Sequence, residues 1–329
     1  MKVVASKKRP QRMTASADHG SVPVRYVCMP GSPYTGSTLL GLLLSNHPEC
    51  ASIGAATGLT SKIDLLSYGC SCGVRFKDCP FWNEIAMRTV EIGYPVTVFK
   101  KDFWNTHVRI SRHRWLNGLL VSSLWSSSLN AARDAIVGRL PPIRRTVAEA
   151  RLSTWSLARA VLDVTGKAVF VDTARDHQRP RYLMASQMLD LKVIHLVRDP
   201  RGNTSSIVNH TGVDVSKAAR QWRHYNLEAD RVRRLLPPGS WMLLHYEELC
   251  ADPQGTLDLI ARFIGVEPTP APQNLQAGDQ HIIGNSMRLK AIGAIREDRT
   301  WREALDEHDL RVIARIAGSA SHRLGYRWP

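Results

Sequence analysis

Long apolar runs are absent from this 329-residue sequence, which has no uninterrupted stretch of the roughly 18 apolar residues that a membrane-spanning helix needs. The first residues also lack the apolar core of a secretion signal, because Met1–Ser21 is polar and basic. We therefore predict that residues 1–22 form a disordered basic tail and that the protein is cytoplasmic.

Cysteine is scarce as well: six in the chain are too few for a fold held together by disulfides. Acidic residues are outnumbered, because 29 Asp and Glu stand against 44 Lys and Arg and leave a net charge of +15. This excess predicts an anionic partner, such as nucleic acid, a phosphorylated cofactor, an acidic glycan or an anionic membrane. No basic motif with interleaved aromatic residues is present, so we do not expect a nucleic-acid partner.

Short apolar segments alternate with helix-length segments from residue 24 onward. The predicted strands are Val24–Met29, Ala168–Asp172, Lys192–Val197 and Ser240–His245. The predicted helices are Gly36–His47, Pro180–Leu189, Ser216–Leu236, Pro253–Ile264 and Asp306–Arg323. Several strands are almost continuously apolar, which is typical of a parallel sheet buried on both faces. We predict an α/β fold in which residues 23–329 form a single domain with a helical insertion at about 85–160.

An uncharged stretch, Trp115–Ala132, follows a cluster of basic residues. It is consistent with a buried or amphipathic helix of the domain. It is also consistent with a helix that docks on anionic lipid, which would bring the protein into peripheral contact with the inner membrane face. The sequence leaves both interpretations open.

A glycine-rich segment, Gly31–Thr38, lies between the first predicted strand and the first predicted helix. Small residues at such a junction let the backbone wrap an anion at the helix N-terminus. The spacing is that of the nucleotide-binding loop G-x-x-x-x-G-K-[ST], but Ser37 stands at the lysine position. An ordinary strand-to-helix turn is the alternative.

Arg198 follows the third predicted strand, at the edge where α/β sheets bind ligands. Its planar guanidinium matches phosphate oxygens, and Ser206 in the next helix can add a hydroxyl donor. The alternative is an arginine paired with a structural aspartate.

Two segments together resemble the sulfotransferases that use 3′-phosphoadenosine 5′-phosphosulfate (PAPS): PGSPYTGSTLL from residue 30 and HLVRDPRGNTSS from residue 195. A third, HIIGNSMR from residue 281, is similar to a segment that closes over PAPS in the carbohydrate-type members. The turn Tyr246–Leu249 and the closing Leu324–Tyr326 also match.

The resemblance implies a three-layer sandwich with a central parallel sheet, the P-loop-NTPase-like sulfotransferase fold. It also implies a donor site. Its 5′-phosphosulfate loop comprises Tyr34, Thr35, Gly36, Ser37 and Thr38. Its 3′-phosphate is held by Arg198, Ser206 and Arg288, and Gly284 and Asn285 belong to the closing segment.

Two positions depart from the family pattern. Tyr34 stands where relatives often have a basic residue, so we expect Arg175 to supply that charge. Ala55 stands where many relatives have a glutamate that is the expected general base, and alanine cannot accept a proton. Asp172 and His281 are our candidates for a replacement base, with His177 and Lys62 as further ones.

Three cysteines, Cys70, Cys72 and Cys79, form a C-x-C-x6-C cluster. They are structural thiols, a local disulfide, or the beginning of a zinc site that would need a fourth ligand. No nearby histidine supplies that ligand, and we expect the protein to use no metal.

The resulting hypothesis is an enzyme that moves a sulfuryl group from PAPS to a hydroxyl of a carbohydrate, lipid-linked or small-molecule acceptor. The product would be 3′-phosphoadenosine 5′-phosphate (PAP). A P-loop kinase and a catalytically silent PAPS- or nucleotide-binding relative are the alternatives.

Overall fold

The computed structural model describes residues 22–56, 67–96, 98–99, 127–273, 280–284, 286–289 and 293–327. Its centre is a five-stranded sheet with the strands β1 (Val24–Cys28), β2 (Cys50–Ser52), β3 (Val169–Asp172), β4 (Leu189–Val197) and β5 (Trp241–His245). The strand order is β2-β3-β1-β4-β5, and every neighbouring pair is parallel. The predicted central parallel sheet is therefore confirmed.

Helices flank this sheet. The chain before β4 contributes α1 (Ser37–Ser45), α2 (Pro80–Glu91), α3 (Ser127–Val137), α4 (Pro141–Thr165) and α5 (Arg179–Leu183). The second half contributes α6 (Pro200–Thr211), α7 (Val215–Arg233), α8 (Tyr246–Ala251), α9 (Pro253–Ile264), α10 (Trp301–Ala304) and α11 (Glu307–Arg323). Short 3₁₀ helices cover Phe76–Asp78 and Ser286–Leu289.

Both faces of the sheet are buried, which explains why its strands are almost continuously apolar. On one face, Tyr26 and Phe170 pack in a core with the apolar sides of α2 and α4. On the other face, Val27 and Val171 pack against α1 and α9. The three layers that the sequence predicted are therefore present.

Most element boundaries agree with the sequence prediction, and two do not. The predicted helix Pro180–Leu189 is wrong in its second half, because α5 ends at Leu183 and Leu189 already begins β4. Strand β2 was missed, since its three residues, Cys-Ala-Ser, carry no apolar run for a pattern to detect.

The described residues contain no helix that is long and apolar enough to cross a membrane. Most of Trp115–Ala132 lies outside the described residues, and only its end enters α3. The basic tail lies outside them except for Val22. The single domain with its insertion, the lipid-docking helix and the cytoplasmic location stay predictions.

Candidate active site

The carboxyl ends of three central strands meet at one edge of the sheet. Cys28, the last residue of β1, pairs with Asp172, the last residue of β3. On its other side β1 pairs with β4, which runs on to Val197. The connection after β1 leads to β2 on one side of the sheet, and the connection after β4 leads to β5 on the other. Such a switch point forms a ligand crevice in open α/β sheets.

The loop after β1 turns sharply before it enters α1. Tyr34 has a φ of 64°, the one positive φ of a non-glycine residue in the described chain, and Gly36 has a φ of 94°. A Cβ atom on Gly36 would lie 2.7 Å from the Tyr246 ring, so a glycine is required there. No side chain caps the N-terminus of α1, whose first turn has no acidic residue. Its amide groups and helix dipole therefore favour an anion.

Side chains hold this loop in place. The Ser32 hydroxyl donates to Asn203 Oδ1 at 2.9 Å, and Asn203 Nδ2 donates to the carbonyl of Pro33 at 2.7 Å. The buried Thr35 hydroxyl donates to the Ser32 carbonyl at 3.2 Å. Because Asn203 belongs to α6, the loop and the helix that follows Arg198 form one rigid unit.

Arg198 lies beside the loop and is 6% exposed. Its Nη1 donates to Ser206 Oγ at 3.1 Å and to the Tyr34 carbonyl at 3.4 Å, and its guanidinium carbon lies 4.8 Å from the centre of the Tyr246 ring. The structure therefore brings the two predicted 3′-phosphate residues, Arg198 and Ser206, together beside the loop. Trp222 fixes the backbone here by donating to the Arg198 carbonyl at 2.9 Å.

Arg198 also has an acidic partner, Asp298, whose Oδ2 accepts from Nη2 at 3.0 Å. Desolvation raises the pKa of Asp298, but hydrogen bonds from Thr300 and Arg198 outweigh it and hold this pKa below its usual value. The arginine is thus paired with an aspartate, as the alternative interpretation expected, while it also contacts Ser206. An incoming phosphate would compete with a half-exposed carboxylate for the same guanidinium.

A cavity of about 270 Å³ opens between the loop and Arg198. Its lining residues are Tyr34, Gly36, Ser37, Thr38, Leu39, Arg175, Arg198, Ser206, His210, Tyr246, Met287 and Asp298. Arg175 is exposed to this cavity, and no described residue gives it a hydrogen bond or an ion pair. Desolvation lowers the pKa of Arg175, although an arginine remains charged near neutral pH.

A second, smaller cavity of about 30 Å³ adjoins the first and shares Ser37, Thr38 and Arg175 with it. Ala55 lines it, so the position at which the resemblance leads us to expect a glutamate faces the same space as Arg175.

The segment that contains Ile282, Ile283 and Gly284 lines one side of the smaller cavity. Ile283 donates from its amide to the Ile53 carbonyl at 2.9 Å, and Tyr68 Oη accepts from the Gly284 amide at 2.8 Å. The Arg288 guanidinium donates to the carbonyls of Gly69 and Gly284. These carbonyls hold Arg288 against the residue 68–69 turn, and Met287 of the same segment lines the larger cavity. The phosphate role of Arg288 stays a prediction, and Asn285 lies outside the described residues.

Gly54 allows this segment to dock, and we expect Gly54→Ala to lower the free energy of unfolding by about 2 kcal/mol or more. Its φ is +84°, and an added Cβ would lie 2.0 Å from the Ile283 carbonyl oxygen. Urea denaturation measures the loss. Gly239→Ala is the matched control, because its φ of +76° is similar and nothing lies within 4 Å of its added Cβ. Equal losses in the two variants would show that strain alone acts at Gly54.

Asp172 is not available as a general base. It is fully buried; its Oδ2 accepts from Arg179 Nε at 2.6 Å and from Tyr26 Oη at 2.5 Å. Its Oδ1 accepts from the amides of Ala56 at 2.9 Å and Ala174 at 2.8 Å. The prediction of a catalytic Asp172 is therefore wrong. Both carboxylate oxygens already accept hydrogen bonds that hold the end of β3 in place, so neither is available to take a proton from an acceptor.

His281 is also displaced from a catalytic role. Its Nδ1 lies 3.6 Å from Cys70 Sγ and 3.3 Å from Cys79 Sγ, and its ring stacks on Phe81 at 4.3 Å between centres. These thiols hold the imidazole in their own cluster, so His281 is a poor base for the cavity. The expectation that no histidine could supply a fourth ligand beside the three cysteines is wrong as well. The local disulfide is also excluded, because all six cysteines are free.

Two further base candidates remain. Lys62 lies outside the described residues. His177 is held edge-on against Tyr225 and His224, and neither of its ring nitrogens has a hydrogen-bond partner among the described residues. Burial lowers the pKa of His177 to about 4, which keeps its imidazole neutral at physiological pH.

Five lining residues of the larger cavity were not predicted as site residues: Leu39, Tyr246, Asp298, His210 and Met287. Tyr246 could have been found, since it opens one of the segments that match the family. His210 stacks on Tyr34 at 4.6 Å between ring centres, one turn beyond Ser206 in α6. No signal in the sequence marks Asp298, because its pairing with Arg198 joins segments 100 residues apart.

Several known proteins are similar to this chain. Carbohydrate sulfotransferase 6 of Homo sapiens is 26% identical over 173 residues, which are 44% of this chain and 44% of that protein. Carbohydrate sulfotransferase 5 of Mus musculus is 27% identical over 173 residues, which are again 44% of this chain and 44% of that protein. The chain's match thus spans less than half the length of these relatives. Among solved structures, the sulfotransferase domain of the curacin biosynthetic pathway is similar, with a TM-score of 0.46, 18% identity and coverage of 94% of this chain and 99% of that one. The sequence profile of the sulfotransferase family matches residues 97–270, more than half of the chain, and the chain therefore belongs to the sulfotransferase family.

Proposed function

We propose that this protein transfers a sulfuryl group from PAPS to a hydroxyl of an acceptor and releases PAP. The observation that carries the proposal is the pairing of Arg198 with Ser206, 3.1 Å apart, across one cavity from the uncapped N-terminus of α1. This arrangement offers two anion sites that line one crevice. A nucleotide with phosphate groups at both its 3′ and 5′ positions matches such a pair.

The reaction would proceed by in-line displacement at sulfur. The acceptor oxygen forms a bond to sulfur as the bond between sulfur and the 5′-phosphate oxygen breaks, and the acceptor proton leaves to a base. The backbone amides of Thr35 to Thr38 would stabilise the departing phosphate, and Arg175 would neutralise charge on the sulfuryl group. The sulfuryl group carries less charge than a γ-phosphoryl group, so we expect the transfer step to need neither the missing lysine at Ser37 nor a metal ion.

The acceptor would enter from the side of the smaller cavity. Ala55 and Arg175 face that space, and the donor loop reaches it through Ser37 and Thr38. The names of the curated relatives support a carbohydrate among the acceptor classes, beside lipid-linked and small-molecule alcohols. The ring nitrogens of His177 have no hydrogen-bond partner among the described residues, but His177 is buried and lines neither cavity, so the proposal assigns the base to no residue.

We expect PAP to bind tightly in a calorimetric titration and ATP with magnesium to bind weakly. Arg198→Ala should weaken PAP binding about 10- to 100-fold, because a hydrogen bond to a charged group contributes about 1.5–3 kcal/mol. ATP binding as tight as PAP binding would contradict the proposal and favour a P-loop kinase, since ATP lacks the 3′-phosphate.

Two matched variants sharpen this test. Asp298→Asn keeps the oxygen that accepts from Thr300 but removes the charge that competes for Arg198, so PAP should bind more tightly. Arg201→Ala removes a neighbouring arginine that pairs with Asp199 and does not line the cavity, so PAP affinity should stay within about twofold of the parent. Equal losses in Arg198→Ala and Arg201→Ala would show a general charge effect and no 3′-phosphate site.

A catalytically silent donor-binding relative is the second candidate, and Ala55 is the observation that favours it. Sulfuryl transfer from labelled PAPS to a panel of glycans, glycolipids and small alcohols separates the two. Loss of a general base costs roughly 10² to 10⁴ in rate, so an active enzyme should still give measurable transfer. Tight PAP binding without transfer to any acceptor would support the silent relative.

A further inference from the structure

Four metal-ligating side chains meet beside the donor-binding crevice, and the proposed reaction uses none of them. Cys70 and Cys72 lie in a turn, Cys79 precedes α2, and His281 arrives from a segment some 200 residues further along the chain. One ligand atom of each lies within 4.8 Å of all the others.

The distances match a tetrahedral ion. Bond lengths of about 2.3 Å to sulfur and about 2.0 Å to nitrogen place neighbouring ligand atoms about 3.5–3.8 Å apart. Cys72 Sγ lies 3.7 Å from Cys79 Sγ, and His281 Nδ1 lies 3.6 Å from Cys70 Sγ and 3.3 Å from Cys79 Sγ. A disulfide would instead require about 2.05 Å between two sulfur atoms and would leave the third thiol and the imidazole unused.

The surrounding residues hold the four ligands in this arrangement. The Cys70 amide donates to the Val74 carbonyl at 2.9 Å and the Gly73 amide to the Cys70 carbonyl at 3.1 Å, which folds the turn so that both its thiols face inward. Ser71 reaches across to the other segment, where its hydroxyl donates to the Gln280 carbonyl and accepts from the Ile282 amide. Ser71 thus clamps the backbone on both sides of His281.

We propose that Cys70, Cys72, Cys79 and His281 bind a zinc ion. Three thiolates and one imidazole are a ligand set that selects zinc, and four protein ligands leave no open coordination position for a substrate. The site is therefore structural. Binding would replace the thiol protons with metal–sulfur bonds and release those protons to solvent.

A zinc ion here would tie the cysteine turn to the segment that carries Ile282, Ile283 and Gly284. These three residues line the smaller cavity. The metal would thus hold these cavity-lining residues in place from outside the cavity, without contacting the donor. The effect on donor binding rests on the proposed function, but the presence of the metal does not.

The test is the metal content of the full-length protein. The protein is expressed in zinc-containing medium, kept reduced during purification and passed through gel filtration. We expect about one zinc ion per chain by elemental analysis, and less than about a tenth of that in Cys72→Ser and in His281→Asn. Cys250→Ser is the matched control, because Cys250 is also a half-buried free thiol and should leave the zinc content unchanged. Zinc-free parent protein, or equal zinc in all variants, would overturn the proposal.

A second measurement keeps the test valid if a variant fails to fold. The parent protein is stripped with a chelator and titrated with cobalt. Thiolate-to-cobalt charge-transfer bands and intense visible bands at one equivalent are expected for a tetrahedral site with three thiolates. The melting temperature should fall on chelation and recover with zinc but not with magnesium. Weak visible bands typical of an octahedral ion, or a melting temperature that ignores zinc, would contradict the assignment. If PAP binding fails while zinc is present, the proposed function is wrong and the metal site stands.

Discussion

Arg175→Ala should lower the kcat of sulfuryl transfer about 10²- to 10³-fold, the loss that follows removal of one preorganised group from a site of developing charge. Arg175 lines both cavities beside Ser37 and Thr38. No described residue pairs with its guanidinium, so its charge is available to a ligand. Removing it breaks no hydrogen bond among the described residues, and the variant should fold normally. The measurement is the rate of PAP formation with the acceptor identified in the panel.

PAP itself supplies the internal control, because it lacks the sulfuryl group. If Arg175 acts on that group, PAP affinity should change less than about threefold while kcat falls. Arg175→Lys keeps the positive charge but replaces the planar guanidinium with a single ammonium group, so its loss should be about tenfold or less. Equal losses of PAP affinity and kcat in Arg175→Ala would contradict this role and would make Arg175 a residue that binds the 5′-phosphate.

Local patterns were enough to predict the elements that position the donor site. The run of apolar residues in β4 marked a buried strand. Asp199 caps the helix that follows, α6, since Asp199 Oδ1 accepts from the Arg201 amide at 2.8 Å. Arg198 could be placed at the ligand-binding edge because it directly follows a strand of a parallel sheet. Ser206 lies in α6, the helix that begins directly after this junction, so its position near Arg198 could be predicted as well.

Contacts between distant segments could not be predicted in the same way. The fourth ligand of the cysteine cluster, His281, lies more than 200 residues beyond Cys79, and nothing near the cysteines marks it. The sequence also suggested Asp172 as a base, because a carboxylate at the end of a strand often faces a ligand. Here the Asp172 carboxylate binds the buried Arg179 side chain instead of facing a ligand. The spacing of the two residues in the sequence does not reveal that the Arg179 side chain points into the core.

Removal of one partner of the buried pair of Asp172 and Arg179 should strongly destabilise this edge of the sheet. Both side chains are fully buried, and Arg179 Nη2 also donates to Tyr26 Oη at 2.8 Å and Thr154 Oγ1 at 3.3 Å. Arg179→Met would leave an uncompensated carboxylate in the core. We expect it to lower the free energy of unfolding by about 3–5 kcal/mol, measured by urea denaturation.

A double-mutant cycle separates the charge pair from the packing. Asp172→Asn alone should also be costly, because it leaves a buried guanidinium that cannot lose its proton. The double variant leaves no unpaired charge, so its cost should be about 2 kcal/mol less than the sum of the two. Arg145→Met, which removes half of the exposed pair with Glu149, should change stability by less than about 0.5 kcal/mol. Additive losses would show that Asp172 and Arg179 act independently. A coupled pair would instead explain how Asp172, through its bond to the Ala174 amide, positions Arg175 at the crevice without taking part in the chemistry.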